Sequence, residues 1–393
     1  MRAKRWLSGL AAALVLLLVA AACGNDPAAE PEAGAAADPD TEATTEGAAT
    51  ETEAEATEAS SIVPLEQVCE EEYADVEAPD DFTVGLVTDI GSVDDGTFNQ
   101  YAFEGMEAAG ECFDVETDFI ETANEADYDN NLTTILSDEP DVVVTVGFLL
   151  ADATLKFAGD NPDTDFVGVD QFQEDYGDNY SGLLFREDQG GYLAGAMAGL
   201  LTESNVVGVV GGRQDVPPVV RLVNGYEAGA KAENPDVEAL SVYNQSFTDP
   251  AKGRSDGEQM LGEGADVIFG AGGQTGSGGI QAAAEDGKWA IGVDQDEYFT
   301  TFDEGNARGS EFLATSAVKR VDLGVFSQIA ASIQGEFSGG IFTLEAANDG
   351  VTYAPFHDAD IPEDVAVRME EIRQGLADGS IDTGIDPVTG EPK

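Results

Sequence analysis

One strand–helix–strand pattern occurs twice in this chain, and this repeat restricts the possible fold more than any other feature. The first copy spans residues 141–171 and the second spans residues 266–295. Both copies begin with Asp and an apolar run that ends in Gly, and both close with Gly-Val-Asp-Gln. Continuous apolar strands that alternate with helices are typical of parallel sheets covered on both faces. The repeat therefore predicts two similar α/β halves.

Further segments continue this alternation from Phe82 onward. We predict strands at 83–87, 206–210 and 237–243, and helices at 98–109, 151–159, 219–232 and from Pro250. About 300 residues follow Phe82, which suits two domains. We expect three crossings between two lobes, near residues 182–188, 293–299 and 316–321. The predicted division is a first lobe of 80–185 plus 294–318, a second lobe of 186–293 plus 319–350, and a C-terminal tail of 351–393.

Three aspartates follow predicted strands in positions where ligands are usually bound. Ligands of open parallel sheets bind beyond the carboxyl ends of the strands, and Asp89, Asp170 and Asp294 lie at such ends. In two facing lobes these carboxylates would point into one cleft. The alternative is that each aspartate caps the helix that follows it.

The N-terminus is typical of an exported protein. Residues 1–5 are basic, residues 6–22 are apolar, and Ala-Ala-Ala stands directly before Cys23. This predicts a signal peptide over 1–22. The small residues before Cys23 resemble a lipobox, which implies acylation, including palmitate, of Cys23; an ordinary signal peptide is the alternative. The acidic Ala/Glu/Thr stretch 23–61 predicts a disordered tether. We expect the protein at the extracytoplasmic face of the cell membrane, attached through this lipid anchor only.

Charge excludes one class of partner, and the cysteines suggest one crosslink. With 78 acidic and 17 basic side chains, the net charge of −61 repels nucleic acid. The same charge is compatible with adaptation to a salty medium. Outside the cytoplasm, Cys69 and Cys112 suggest a disulfide without catalytic meaning, although two unrelated thiols are the alternative.

The run 88–100 is the most distinctive motif of the chain. It joins the first strand to the first helix and places Phe98 at the start of a helix, close to Asp94 and Asp95. A core position for Phe98 is the plain interpretation, but an aromatic ring beside carboxylates also suits the stacking of a flat ligand. This run resembles the Asp-x-Gly…Asp-x-Ser-Phe-Asn-Gln hallmark of the basic membrane protein family of nucleoside-binding lipoproteins, relatives of purine nucleoside receptors.

The resemblance continues through most of the body, residues 62–393, and is carried by segments at 185–195, 223–229, 246–253, 291–294 and 315–319. It implies a periplasmic-binding-protein type I fold, two Rossmann-like lobes with a three-segment hinge. The ligand-binding residues that it implies are Asp89, Asp95, Phe98, Asn99, Asp170, Phe247, Gly272, Gly273, Asp294 and Lys319. In similar receptors the two phenylalanines sandwich the base, and the residues that match Asp95 and Asp170 face the base edge. The ribose hydroxyls are held by the residues that match Asp89, Gly272 or Gly273, Asp294 and Lys319. One departure is Gln274, which stands inside the family's Gly-Gly-Thr-Gly and leaves the contact of this loop open.

Nothing in the motifs favours catalysis. The chain has a single histidine, His357, far from the other motifs, and it lacks the G-x-G-x-x-G and Gly-Lys-Ser/Thr motifs and metal-ligand spacing. We therefore expect no enzyme activity, no cofactor and no metal. The prediction is a monomeric receptor that captures a nucleoside, with a purine base expected, and delivers it to the permease of an ABC importer. A same-fold receptor for a sugar or signalling molecule, a nucleoside-processing enzyme and a sensor remain alternatives.

Overall fold

Apolar runs rich in Val, Ile and Phe form the strands of two sheets. The computed structural model describes residues 62–393. Its strands are β1 (Thr83–Ile90), β2 (Glu116–Thr122), β3 (Val142–Val146), β4 (Asp165–Val169), β5 (Tyr180–Phe185), β6 (Val206–Gly211), β7 (Glu238–Tyr243), β8 (Val267–Ala271), β9 (Trp289–Asp294), β10 (Leu313–Lys319), β11 (Gly340–Leu344) and β12 (Val351–Tyr353).

Helices connect these strands and cover the sheets. They are α1 (Leu65–Glu72), α2 (Phe98–Phe113), α3 (Tyr128–Ile135), α4 (Ala151–Asp160), α5 (Glu187–Leu201), α6 (Pro217–Glu233), α7 (Pro250–Gly262), α8 (Gly273–Glu285), α9 (Val321–Ile333) and α10 (Glu363–Ala377). Small residues let the helices pack closely. At Gly195 in α5, for example, a Cβ would overlap the backbone of Tyr226 in α6.

Each sheet has six strands. The first has the order β11-β5-β4-β3-β1-β2 and is parallel throughout. The second has the order β12-β10-β9-β8-β6-β7 and is parallel except for the β10–β12 pair. Every residue of β3 and β8 is buried, as expected for inner strands covered by helices on both faces. The predicted fold class, two parallel-rich α/β lobes, is confirmed.

The predicted division of the chain between the lobes is wrong in its later segments. Residues 294–318 were assigned to the first lobe, but β10 pairs with β9 in the second sheet. Residues 319–350 were assigned to the second lobe, but β11 pairs with β5 in the first sheet, and Phe326 of α9 packs with Phe113 of α2. An apolar run such as β10 carries no local mark of the sheet that it joins, because strand pairing is decided by distant segments.

The C-terminal region is part of the second lobe and not a separate tail. Strand β12 forms an edge of the second sheet, and α10 buries Met369 and Ile372 against the core that also contains Leu193 of α5. The lobes are joined at Arg186, at Arg320 and by residues 345–350. The predicted crossing at 293–299 is therefore wrong, because the strands on either side of it both lie in the second sheet.

The structure joins Cys69 of α1 to Cys112 of α2 by a disulfide, which is the pairing expected from the sequence. The expected signal peptide, the acylated Cys23 and the acidic tether lie outside the described residues. Within residues 62–393, no helix is both long enough and apolar enough to cross a membrane.

Candidate functional site

The carboxyl ends of both sheets face a common cavity of about 660 Å³, part of which opens to solvent. All ten residues predicted as ligand-binding line it: Asp89, Asp95, Phe98, Asn99, Asp170, Phe247, Gly272, Gly273, Asp294 and Lys319. They come from the ends of β1, β4, β8, β9 and β10 and from the segments that follow β1 and β7. The topology thus brings together residues that are up to 230 positions apart.

The repeated Val-Asp-Gln ends place two aspartates in matching conformations. Asp170 follows β4, Asp294 ends β9, and their φ angles of +60° and +67° are both left-handed. The Asp294 carboxylate accepts no hydrogen bond from the part of the chain that the structure describes, although this residue is only 7% exposed. Burial raises its pKa to about 7; Lys319 opposes this shift, and the carboxylates of Asp170 and Asp95 add to it. Asp294 is therefore a free acceptor that faces the cavity.

Lys319 is the cation of the cavity, and it links the lobes. Its Nζ lies 2.6 Å from Asp170 Oδ2 in the first lobe and 3.2 Å from Glu187 Oε1 in α5 of the second lobe. The same Nζ lies 4.8 Å from the ring centres of Phe98 and Phe185. Burial lowers the pKa of Lys319, but the three carboxylates of Asp170, Glu187 and Asp294 raise it above its usual value. The ammonium group therefore stays charged in this buried site.

Asp89 is held in place by its neighbours. Tyr128 of α3 donates its hydroxyl proton to Asp89 Oδ1 at 2.6 Å, and the backbone N–H of Ile90 donates to the same oxygen at 2.6 Å. Gly147 faces this carboxylate with a φ of +98°, and a Cβ there would overlap it. Burial raises the pKa of Asp89 to about 6, against the lowering effect of these two hydrogen bonds.

Asp95 acts as the cap of α2. Its Oδ1 accepts the backbone N–H groups of Thr97 at 2.9 Å and Gln100 at 3.1 Å. Its Oδ2 accepts the backbone N–H of Asn99 at 3.1 Å and the Asn99 amide at 3.0 Å. Its side chain therefore caps a helix, although the sequence pattern suggests capping only for Asp89, Asp170 and Asp294. Because Asp95 fixes the first turn of α2, it also fixes the position of Phe98 at the cavity wall; its contact with a ligand stays a prediction.

The two predicted stacking residues, Phe98 and Phe247, are half-buried and line the same cavity. Within residues 62–393, neither ring packs against another aromatic side chain. Gly212 lies so close to Phe247 that a Cβ at this position would overlap the ring. One edge of the Phe247 ring is therefore fixed by backbone, and both rings keep surface for a flat molecule.

An apolar wall was missed by the sequence prediction. Val216, Pro218, Val219 and Leu222, around the start of α6, line the cavity. The signal was present, because Val-Pro-Pro-Val follows strand β6 at its carboxyl end, where ligands of parallel sheets bind. Ile90, Gly147, Phe148, Thr248, Ala271 and Gln274 complete the lining. Gln274, the departure from the family motif, accordingly faces the cavity.

The lobes touch across the cleft at several points. Arg213, which follows β6, pairs with Glu125 of the first lobe at 2.5 Å. Gln295 donates its amide to the carbonyl of Thr97 at 3.1 Å, and Thr300 donates its hydroxyl to the carbonyl of Gly96 at 2.8 Å. These contacts hold the two lobes closed over the cavity.

Comparisons with known proteins agree with this geometry. Residues 82–375 match the family model Bmp, described as ABC transporter substrate-binding protein PnrA-like. A CD4+ T-cell-stimulating antigen of Listeria monocytogenes is 35% identical over 77% of this chain and 87% of its own length. The ABC transporter nucleoside-binding protein BmpA of Lactococcus lactis is 33% identical over 69% of this chain and 81% of its own length.

Among solved structures, an ABC transporter solute-binding protein from Aeropyrum pernix superposes with a TM-score of 0.67 at 26% identity. The match covers 77% of this chain and 92% of that protein. The family model spans both sheets and every cavity-lining residue named above. The chain therefore belongs to the Bmp family of PnrA-like ABC transporter substrate-binding proteins.

Proposed function

We propose that this protein captures a nucleoside, with a purine base expected, in the cavity between its lobes. The observation that carries the proposal is the free, buried carboxylate of Asp294 in a cavity that also holds two unstacked phenyl rings, those of Phe98 and Phe247. A nucleoside offers what these groups lack, a flat heterocycle for the rings and hydroxyl donors for the carboxylate. The name of the Lactococcus lactis relative supports the same ligand class.

Charge favours a nucleoside over a nucleotide. Asp89, Asp170 and Asp294 face the cavity, and Lys319 is the one cation among its lining residues. Hydroxyl groups can donate to carboxylates in charge-assisted hydrogen bonds, whereas a phosphate would place like charges together at low dielectric. In the proposed binding mode, Asp294 and Lys319 hold the ribose, while Phe98 and Phe247 lie on the two faces of the base.

The destination of the ligand follows from the family. We propose that the closed form is recognised by the permease of an ABC importer, and that acyl groups on Cys23 hold the protein at the extracytoplasmic face of the membrane. The basic and apolar N-terminal residues, the Ala-Ala-Ala-Cys sequence and the acidic stretch after it support this location. Mass spectrometry of the membrane fraction tests it: Cys23→Ser should release the protein from the membrane and remove the acyl mass.

Calorimetry tests the ligand class directly. We expect adenosine, guanosine or inosine to bind with measurable heat, and the matching 5′-monophosphates, pentoses and hexoses to bind far more weakly. Phe98→Ala and Asp294→Ala should each weaken nucleoside binding by roughly 1–4 kcal/mol without unfolding the protein. Phe299→Ala, at an exposed ring outside the cavity, is the matched control. Binding of sugars alone would replace the proposal by a same-fold sugar receptor.

The enzyme alternative has its own test. Incubation of the protein with inosine or adenosine, followed by chromatography, should return the intact nucleoside. Release of free base at a rate that scales with protein concentration, and that disappears in Asp294→Ala, would show a hydrolase instead.

A further inference from the structure

The C-terminal residues 381–393, here called the C-terminal clasp, form a closed turn beyond the family-matched segment. Ile385 and Pro392 form an antiparallel bridge, and the Asp386 carboxylate accepts the backbone N–H groups of Val388 and Thr389, both at 2.9 Å. These bonds give the clasp a defined shape of its own, although it contributes no strand to either sheet.

The clasp is attached to the starts of α5 and α6. The Thr383 hydroxyl donates to Asp188 Oδ2 at 2.6 Å, and Asp188 is fully buried. On α6, Arg221 Nη1 donates to the carbonyl of Val388 at 3.2 Å, and Asn224 donates to the carbonyl of Gly390 at 2.6 Å. The clasp thus supplies one of the hydrogen-bond partners of Arg221.

The other side of Arg221 leads to the cavity. Its Nε lies 2.6 Å from Glu187 Oε2, and Glu187 is 1% exposed. The second oxygen of Glu187 lies 3.2 Å from Lys319 Nζ, outside hydrogen-bond geometry, and Lys319 lies 2.6 Å from Asp170. A continuous buried series of charges therefore runs from the clasp to a carboxylate that lines the cavity.

Lys319 lies between the carboxylates of Asp170 and Glu187. Arg221 also pairs with Glu187 and therefore affects which of the two Lys319 contacts more closely. A buried carboxylate without a counter-charge is costly. With Arg221 in place, Glu187 is compensated, and Lys319 makes its short contact with Asp170. Without Arg221, Glu187 would take Lys319 as its only counter-charge and draw it away from Asp170 and from the cavity.

We propose that Arg221, held by the C-terminal clasp, is a positioning residue that keeps Lys319 on Asp170 in the ligand cavity. The proposal rests on the proposed function for the identity of the ligand. The clasp itself touches none of the cavity-lining side chains that are charged. Its effect on binding is transmitted through Arg221 and Glu187.

Titration of Asp170 in the ligand-free protein is the primary test. The charged groups that face Asp170 are Lys319, Glu187, Arg221 and Asp294, and those that face Lys319 are Asp170, Glu187 and Asp294. Lys319 and, to a smaller extent, Arg221 lower the pKa of Asp170, so withdrawal of Lys319 raises that pKa beyond the direct effect of losing Arg221. Carboxyl carbon NMR, assigned with Asp170→Asn, should show a higher midpoint for Asp170 in Arg221→Met than in the parent. Arg221→Lys should restore most of the difference.

Nucleoside affinity, measured across pH 5.5–8, is the second readout. We expect Arg221→Met to bind about tenfold more weakly and to lose affinity at a higher pH than the parent does on acidification. Asn224→Ala and Thr383→Val, which release only the clasp, should each weaken binding by about fivefold. Thr389→Val is the matched control, because this exposed threonine contacts only the clasp itself.

The outcomes separate this inference from the proposed function. If the parent binds no nucleoside while Asp170 still titrates higher in Arg221→Met, the ligand assignment fails and the positioning role stands. An unchanged Asp170 midpoint in Arg221→Met overturns the positioning role. If Arg221→Met does not fold, the nucleoside affinities of Asn224→Ala and Thr383→Val provide the test. Affinities equal to that of Thr389→Val would overturn the role of the clasp.

Discussion

At the scale of single residues, the cavity keeps acids in an environment that disfavours their charge. Burial raises the pKa of Asp294 from 3.8 to about 7 and that of Asp89 from 3.8 to about 6. A carboxyl group whose folded pKa is raised stabilises the fold fully below its unfolded pKa and loses that contribution as the pH rises through the folded pKa. The ligand-free protein is therefore strained at its binding site near neutral pH, and hydroxyl donors relieve that strain.

Substitution of Asp294 separates binding from stability. Asp294→Asn should raise the free energy of unfolding of the ligand-free protein at pH 8 by roughly 1–3 kcal/mol, because the charge is removed. The gain should fade toward pH 4, where the parent side chain is protonated as well. Thermal unfolding at both pH values measures it. Asp236→Asn, at an exposed aspartate outside the cavity, should show no such pH-dependent gain, and a destabilised Asp294→Asn at pH 8 would contradict the argument.

Ligand binding should depend on pH in the opposite sense to stability. Asp294 accepts hydroxyl donors best when it is ionised, so nucleoside affinity should rise between pH 5.5 and pH 8, through its pKa of about 7. Calorimetry of the parent and of Asp294→Asn measures this rise. The variant should bind weakly and with a flatter profile; an equally steep profile in the variant would assign the titration to another group.

At the scale of strands and helices, the sequence predicts local elements well and their partners poorly. The strand that begins at Val142 can be predicted from its apolar residues alone. The positions of Asp170 and Asp294 can be predicted as well, because each comes at the end of an apolar run. The sheet membership of β10 and β11 was not readable, because it depends on pairing with segments far along the chain. The role of Arg221 was equally hidden, since its partners Glu187 and Val388 are distant in sequence.

The turn after β3 shows how an element end shapes the site. Gly147 has a φ of +98°, and a side chain there would overlap the Asp89 carboxylate. We expect Gly147→Ala to lower nucleoside affinity at least tenfold and to destabilise the fold by about 1–3 kcal/mol, as calorimetry and thermal unfolding can measure. Gly159→Ala in α4, where a Cβ has open space, should bind like the parent and be as stable or more so. Equal binding by both variants would contradict the assigned position of Asp89.

At the scale of the whole molecule, the contacts across the cleft decide how readily the lobes stay closed. Arg213 and Glu125 form an ion pair between the lobes, with side chains 19% and 52% exposed. Partly exposed pairs of this kind contribute little to overall stability. This pair exists between the lobes, however, so the free energy that it does contribute favours the closed form.

Removal of Arg213 should therefore shift the equilibrium between closed and open lobes and leave the stability of the fold nearly unchanged. We expect Arg213→Ala to weaken nucleoside binding by about two- to fivefold and to enlarge the ligand-free particle in X-ray scattering, with little change in melting temperature. Arg254→Ala, which breaks a pair with Glu285 inside the second lobe, should change neither scattering nor affinity. Equal effects of the two variants would mean that the Arg213 pair does not control closure.

The order of strands along the chain has a consequence for biosynthesis. Strand β11 is an edge strand of the first sheet, and β12 is an edge strand of the second. Both are synthesised late. A chain whose synthesis stops before residue 340 therefore lacks an edge strand in both sheets, so neither lobe can complete its sheet. Such a product leaves β5 and β10 open to pairing with other chains.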